Sequence, residues 1–421
     1  MGVMAIADIK LFPHQVKALV DTEQFENVAY YLDMGLGKTF VGSERLWEYN
    51  TPFNLVICQK SKIVDWVQHF RTYYSDDYQT IVYTGQPLDK IPADSVLVIN
   101  YESAWRKPDL KRLRNFTLML DESSKIKNET SKVTKFVLGL KPEHVILLSG
   151  TPTGGKYEEL WSQCRLLGWN INKYKFLSRY TNRVWNPIFS CFEIHGYKHI
   201  DELKCELRKH GAVFTKTDEV FDLPAQNHIT IDVKATREYK TFATDHYLVR
   251  NGEELIGDTS MGAKLILRKL AGVWNANKLR AFNELLESTA DRLIVFYNFK
   301  TEYEELAKMV RKHKRPLSTM NGSLKDMTAY EQVSNSVTLV QYQSGAMGLN
   351  LQKANKIVYF TLTDKSELFE QSKKRIHRIG QDRPCFYYYL MTKGSIEPKM
   401  LATLKMRRDY TDKLFEKEEM T

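Results

Sequence analysis

No stretch of this chain reaches ~18 uncharged apolar residues, the length a helix needs to span a bilayer, so a membrane-embedded protein is not expected. The opening "MGVMAIADIKLFPHQ" is too short and too interrupted in its apolar part for a signal peptide. Cysteine is scarce: Cys58, Cys164, Cys191, Cys205 and Cys385 are odd in number, widely scattered and never in CxxC spacing. That offers no CxxC-type metal spacing, suits reduced, buried thiols and calls for neither zinc nor disulfides. Tracts rich in Pro, Gly or Ser, low-complexity segments and short-period repeats are missing, so the chain is expected to fold nearly throughout. Together these absences point to the cytoplasm, or to a host's cytoplasm if the chain is viral.

What is present is a globular composition, 43% hydrophobic and 27% charged, over 421 residues. That length exceeds one ordinary core and suits two domains of about 200 residues each. Positive charge is in excess, net +10, with clusters at "RKPDLKRLR" (106–114), "KMVRKHKR" (308–315) and "KKRIHR" (373–378). Such clusters favour a polyanionic partner, nucleic acid first, although solvated helix faces carry the same runs.

Short β-branched runs followed by polar or helical stretches mark buried parallel strands. They occur at "NLVICQ" (54–59), "TIVYT" (80–84), "SVLVIN" (95–100), "TLMLD" (117–121) and "HVILLSG" (144–150). The rhythm returns at "RLIVFYN" (292–298), "VTLVQY" (337–342), "KIVYF" (356–360) and "FYYYLM" (386–391). Two α/β lobes follow, 1–222 and 223–421, with ligands expected at the carboxyl ends of the strands. Residues 153–222 are expected to form a small helical insertion, ending near Pro224 in "FDLPAQ".

"LDMGLGKT" (32–39) ends as a phosphate-binding loop ends, although Leu32 stands where the leading glycine is usual. Gly35 and Gly37 allow the tight turn, Lys38 meets phosphate, and the Thr39 hydroxyl suits Mg²⁺ at a helix start. The second element is "LMLDESSKIKN" (118–128), where Asp121 fits the Mg²⁺ shell and Glu122 fits the group that orients or deprotonates the attacking water. Upstream, Gln15 in "LFPHQ" offers an amide matched to adenine N6 and N7. Downstream, Ser149 and Thr151 in "LLSGTPTGG" lie at a strand end, where hydroxyls can couple a γ-phosphate to motion; an ordinary turn has the same composition.

In the second lobe, "LFEQSKKRIHRIGQDRP" (368–384) spaces Gln371, Arg375 and Arg378 by four and three, so that on a helix all three project from one face. Arginines so placed can act as fingers on a γ-phosphate, a role worth ~10³ to 10⁵ in rate. The preceding glycine-broken loop "VQYQSGAMGLNLQKAN" (340–355) supplies Gly348 and Asn350.

These motifs resemble the superfamily-two helicase-like ATPases, and within them the Swi/Snf group of double-stranded DNA translocases. The likeness runs from "FPHQ" through "DMGLGKT", "DESSKIKN", "LSGTPTGGKYEELW", "IVFYNF", "MNGS", "GAMGLNL" and "RIHRIGQDRP" to "GSIEPKML". It implies two tandem RecA-like lobes that bind ATP and Mg²⁺ and grip duplex DNA, with Gln15, Lys38, Thr39, Asp121, Glu122, Arg375 and Arg378 in the roles above. It also implies DNA-backbone contacts from Lys60, Ser61, Lys62, Asn100, Tyr101, Asn298, Gly322 and Ser344. Departures are Ser123-Ser124 where the group has Gly-His or Ala-His, Tyr342-Gln343 where it often has Thr-Arg, and "TLTDKSELFE" before Gln371. The expected activity is an ATP-driven monomeric motor on duplex DNA. Alternatives are a strand-separating or branch-migrating helicase, an RNA helicase, and an ATP-gated DNA-binding module. Trp185 in "RVWNPIFSCF" is a wedge candidate, with a buried core aromatic the favoured alternative.

Overall fold

The computed structural model of this chain describes residues 9–187, 190–345 and 350–415. The chain forms two compact units, the first running to Phe221 and the second from Asp222 to Arg408.

The first unit is built on a seven-stranded sheet. In chain order its strands are β1 (Asn27–Leu32), β2 (Phe53–Cys58), β3 (Gln79–Val82), β4 (Ser95–Asn100), β5 (Phe116–Asp121) and β6 (His144–Leu148). A hairpin, β7 (Thr181–Asn186) and β8 (Cys191–Tyr197), stands outside this sheet, and β9 (Ala212–Thr215) returns to it. The order across the sheet is β3-β4-β2-β5-β6-β1-β9, and every pairing is parallel. Helices cover both faces, because the central strands β2, β4, β5 and β6 are apolar at consecutive positions and need burial on each side. β1 and β9 are strands that apolar runs alone did not single out.

The insertion carries the expected helices, Trp161–Leu166, Lys173–Tyr180 and Ile200–Lys209. It is not wholly helical, however: "TNRVWN" and "CFEIHGY" pair as the antiparallel hairpin β7–β8. β-branched and aromatic residues flanking Pro187 favour that outcome over a continued helix. Trp185 is therefore not a core residue; it is 51% exposed on the hairpin. Of the thiols, Cys58, Cys164 and Cys385 are buried as expected, Cys205 is half-buried, and Cys191, on the hairpin, is exposed.

The second unit has its own seven-stranded sheet. Its strands are β10 (Gln226–Lys234), β13 (Leu293–Tyr297), β14 (Leu317–Met320), β15 (Lys325–Asp326), β16 (Val337–Gln341), β17 (Lys356–Tyr359) and β18 (Cys385–Lys393). A separate hairpin pairs β11 (Tyr247–Arg250) with β12 (Glu253–Ile256). The order is β10-β18-β17-β13-β16-β14-β15, parallel except for the terminal β14–β15 pair. A buried ion pair, Lys278 Nζ to Glu397 Oε1 at 2.5 Å, ties a covering helix to the segment after β18. Among the described residues, no helix is long and apolar enough to cross a membrane, and no cluster of His, Cys, Asp and Glu could hold a metal.

After the first helix, α1 (Pro13–Val20), helix α2 (Lys38–Tyr49) packs beside α3 (Ile63–Tyr73) through a buried polar contact, with His69 Nε2 2.9 Å from Ser43 Oγ. Tyr74 caps the same group, its hydroxyl donating to Glu44 Oε1 at 2.8 Å and lying 3.0 Å from Ser43 Oγ. Burial holds His69 neutral, pushed down to about 4. The unfolded chain therefore takes up this proton first, and stability falls as pH drops from about 6.5 towards 4. Between pH 7 and 5 the first unit should lose about 2 kcal/mol through this group. Urea unfolding at the two pH values should show that loss in the wild type and a smaller one in His69→Gln.

Candidate nucleotide-binding site

The geometry of the phosphate loop explains how it dispenses with a leading glycine. Leu32 is the last residue of β1, fully buried in the core, so its backbone is extended and its side chain is needed for packing. The turn proper falls on Gly35 (φ 92°) and Gly37 (φ 73°), both in the left-handed region that side chains disfavour. Gly37 opens α2 without any side-chain cap, leaving the helix start suited to an anion. Lys38 Nζ donates to the carbonyls of Leu32 (2.9 Å) and Asp33 (3.2 Å) and lies against Gly150 of the "LSGTP" turn. Thr39 follows on the first turn of α2, half-buried.

Gln15 is buried beneath this loop. Its Nε2 donates to Leu36 O (3.2 Å) and Gly37 O (3.4 Å), and its Oε1 accepts from Phe12 N (2.8 Å). The amide thus straps the phosphate loop to the start of the Pro13–Val20 helix, and adenine would have to exchange those bonds to be read by it. A Cβ on Gly37 would come within 2.1 Å of Gln15 Nε2 and displace that amide, while the φ of 73° is what demands glycine.

β5 delivers Asp121 and Glu122. Glu122 sits at φ 57°, ψ 61°, a left-handed backbone uncommon for a side-chain-bearing residue and typical of functional turns. Tyr101 secures the turn, its hydroxyl donating to Asp121 O at 2.9 Å. Trp66 on α3 secures the side chain, its indole N–H donating to Asp121 Oδ2 at 2.9 Å. Burial pushes the Asp121 carboxyl above the usual range, opposed by the Trp66 hydrogen bond and by the positive charges of Lys38 and Lys62.

The Ser123-Ser124 departure has a visible consequence. Ser123 Oγ donates to Gln163 Oε1 (2.8 Å), which also accepts from Tyr31 OH (3.0 Å), while Gln163 Nε2 donates to Pro152 O (2.7 Å). The acid motif is thereby wired to the "LSGTP" turn through a fully buried glutamine. Ser149 Oγ lies 3.5 Å from Glu122 Oε2 and accepts from Thr151 N (3.1 Å); Thr151 Oγ1 is buried without a partner among the described residues.

In the second unit the helix Ser366–Lys373 holds Gln371 but ends before the arginines. Arg375 and Arg378 lie in the turn that follows, so the three do not share one helix face. The next carbonyls are claimed from outside: Tyr387 OH donates to Lys373 O (3.1 Å) and Leu351 N to Arg375 O (3.1 Å). Arg375 is only 2% exposed, whereas Arg378 is half-buried, with burial lowering its pKa. Gln371 Oε1 is buried without a partner among the described residues. The basic cluster 373–378 is largely internal, since Lys373 is buried against Glu370 at 2.7 Å. Asn350 is exposed, and Gly348 lies outside the described residues. Tyr342, one of the departures, is a core residue stacked near Phe296 and Tyr359, its hydroxyl donating to Thr361 O (3.1 Å).

Two family profiles match: the SNF2-related domain over residues 18–278 and the helicase conserved C-terminal domain over 277–380. The chain belongs to the SNF2-related family. Similar proteins include a Caenorhabditis elegans homolog of SWI/SNF-related matrix-associated actin-dependent regulator of chromatin subfamily A-like protein 1, 23% identical over 95% of this chain and 61% of its own. Another is the Mus musculus DNA annealing helicase and endonuclease ZRANB3, 23% identical over 96% of this chain and 40% of its own. The chain thus spans about half the length of these curated relatives. Among solved structures, the Sulfolobus solfataricus SWI2/SNF2 ATPase core in complex with dsDNA superposes at a TM-score of 0.46, 21% identical, over 98% of this chain and 94% of that one.

For this SNF2-related chain, the residues matched to DNA contacts divide by exposure. Lys60 and Gly322 are exposed, and Ser61 and Lys62 half-buried, Lys62 paired with Asp65 at 2.6 Å. Asn100, Tyr101 and Ser344 are buried, and the Asn298 amide donates to Thr361 Oγ1 (2.9 Å) and Leu362 O (3.1 Å). The side chains of the buried members therefore brace the loops, and Lys60 and Gly322 are the ones left open to solvent. Trp66 and Gln163 escaped the sequence reading because their partners lie 55 and 40 residues away along the chain, out of reach of any local pattern.

Replacing Trp66 with Phe removes a donor that favours the ionised Asp121, so the Asp121 pKa should rise further in a carboxyl NMR titration. Gly37→Ala combines a disfavoured backbone with the Gln15 clash and should lower stability by about 1–3 kcal/mol in thermal unfolding.

Proposed function

We propose that this chain is an ATP-dependent motor that moves along double-stranded DNA, a DNA-dependent ATPase acting as a monomer in the cytoplasm. The observation that carries this reading is the order of loops along one sheet edge. Because β4, β2, β5, β6 and β1 are adjacent and parallel, their carboxyl ends present in sequence Asn100-Tyr101, Lys60–Lys62, Asp121-Glu122, Ser149–Thr151 and the phosphate loop. A nucleotide half and a DNA half thus meet at Asp121.

The residues fit a nucleoside triphosphate. The uncapped start of α2 and the Lys38 ammonium suit its phosphates, and the buried, partnerless Thr151 hydroxyl offers a bond in reserve at the same edge. Thr39 and Asp121 would hold Mg²⁺, which when bound neutralises phosphate charge. Glu122 orients and deprotonates water, Ser149 reports on Glu122, and Gln15 contacts the base. Arg378, the more exposed of the two arginines, is the finger, with Arg375 bracing its turn from within; Gln371 and Asn350 assist. Lys60 and Gly322 meet DNA phosphates, and the exposed basic run 106–114 adds non-specific attraction.

Hydrolysis should be stimulated by blunt duplex DNA more than by single strands or RNA, with stimulation falling steeply as salt rises. Lys38→Ala should abolish it, and Glu122→Gln should lower it by about 10²-fold or more while DNA binding persists. DNA binding with no hydrolysis in the wild type would instead establish an ATP-gated binding module.

A further inference from the structure

We propose that the β7–β8 hairpin is a stacking platform for unpaired bases, so that this chain, besides the duplex it moves along, also holds a single strand where one adjoins that duplex. The proposal rests on the DNA-motor reading only in taking DNA as the partner.

Trp185 and Phe192 are direct cross-strand partners and therefore share a face, together with Arg183 and Ile194 two pairs nearer the base. Their rings meet edge to face at 5.1 Å. The Arg183 guanidinium lies over the Phe192 ring at 5.2 Å and over the Tyr174 ring at 5.4 Å, joining the hairpin to the Lys173–Tyr180 helix. Yet this assembly covers no core: Tyr174 is 71% exposed, Phe192 57% and Trp185 51%.

The base of the hairpin, by contrast, is anchored. Thr181 is buried, the Tyr197 ring packs on Tyr157 at 4.5 Å, and its hydroxyl donates to Glu158 Oε2 at 2.7 Å. Exposed aromatics on a firmly seated hairpin are a surface kept for a partner.

Charge and geometry identify that partner. Between Glu159 and Glu193 the chain carries Arg165, Lys173, Lys175, Arg179 and Arg183 and not one Asp or Glu. Lys173 and Arg179 are paired with Glu129 and Glu202, but among the described residues Arg183, the cation set among the rings, has no carboxylate partner. A cationic segment bearing flat rings and a guanidinium plane suits the bases and phosphates of a single strand, where aromatic stacking gives affinity without sequence preference. The rings of paired bases in a duplex are closed to such stacking, so the platform acts where strands have parted.

The test pairs wild type with Trp185→Leu/Phe192→Leu, which keeps apolar bulk but removes both π faces from exposed positions that folding does not need. Without nucleotide, a fork carrying 2-aminopurine in its single-stranded arm should change its emission on binding wild type and not on binding the variant. The variant should bind the fork about tenfold more weakly while its affinity for blunt duplex changes by less than about twofold. Equal fork binding and equal emission change by the two proteins would overturn the proposal. So would sedimentation showing a wild-type dimer that the substitutions dissolve, which would assign the patch to a second copy of the chain. If blunt duplex fails to stimulate hydrolysis in either protein while the fork signal still depends on the rings, the motor reading fails and the platform stands.

Discussion

Parallel pairing is the constraint on which the first unit depends. When every strand in a sheet runs the same way, every loop that leaves a strand's carboxyl end emerges along one edge, and the strand order alone decides which loops are neighbours. Here the acid motif on β5 stands between the strands that lead into the Ser149–Thr151 turn and the Gly35–Thr39 loop, β6 and β1, and those that lead into Lys60–Lys62 and Asn100-Tyr101, β2 and β4. Asp121 is central because the sheet leaves it no other place.

Hydrogen bonds then convert proximity into connection. Trp66, one turn beyond the Lys60–Lys62 segment, holds the Asp121 carboxylate, and Tyr101, at the end of β4, holds the Asp121 carbonyl. A shift in either segment is therefore felt at the carboxylate and at the left-handed backbone of Glu122 without any intermediate element. On the other side, Ser123 and Gln163 carry the same turn to Pro152. The two serines that break the family pattern are a different wiring of the same connection.

Much of this was legible in the sequence, because the strands that form the sheet centres are buried on both faces and cannot avoid long apolar runs. The phosphate loop, the acid pair and the hydroxyl turn announce themselves by local composition. What escaped did so for physical reasons. β1 contains Tyr30 and Tyr31, whose hydroxyls find buried partners, so it does not stand out as an aliphatic run, and β9 is too short to signal itself. The helix carrying Gln371 was expected to run on through the arginines, since nothing local shows that Tyr387 and Leu351 will take its carbonyls. The hairpin was hidden by its own aromatics, which in a sequence resemble core.

The insertion bearing that hairpin leaves the sheet after β6 and rejoins it at β9, and both strands are immediate neighbours of β1. The rejoining side is pinned further by Asp33 N to Thr215 O at 3.0 Å and by Thr217 Oγ1 to Asp33 Oδ2 at 3.0 Å, at the root of the phosphate loop. A pull on the hairpin is therefore divided between two parallel ladders that flank β1, the strand that leads into the Gly35–Thr39 loop. Each ladder resists in shear, with its hydrogen bonds loaded together rather than unzipped one at a time. Mechanically, the outermost part of the first unit is moored to its most chemically exacting strand from both sides.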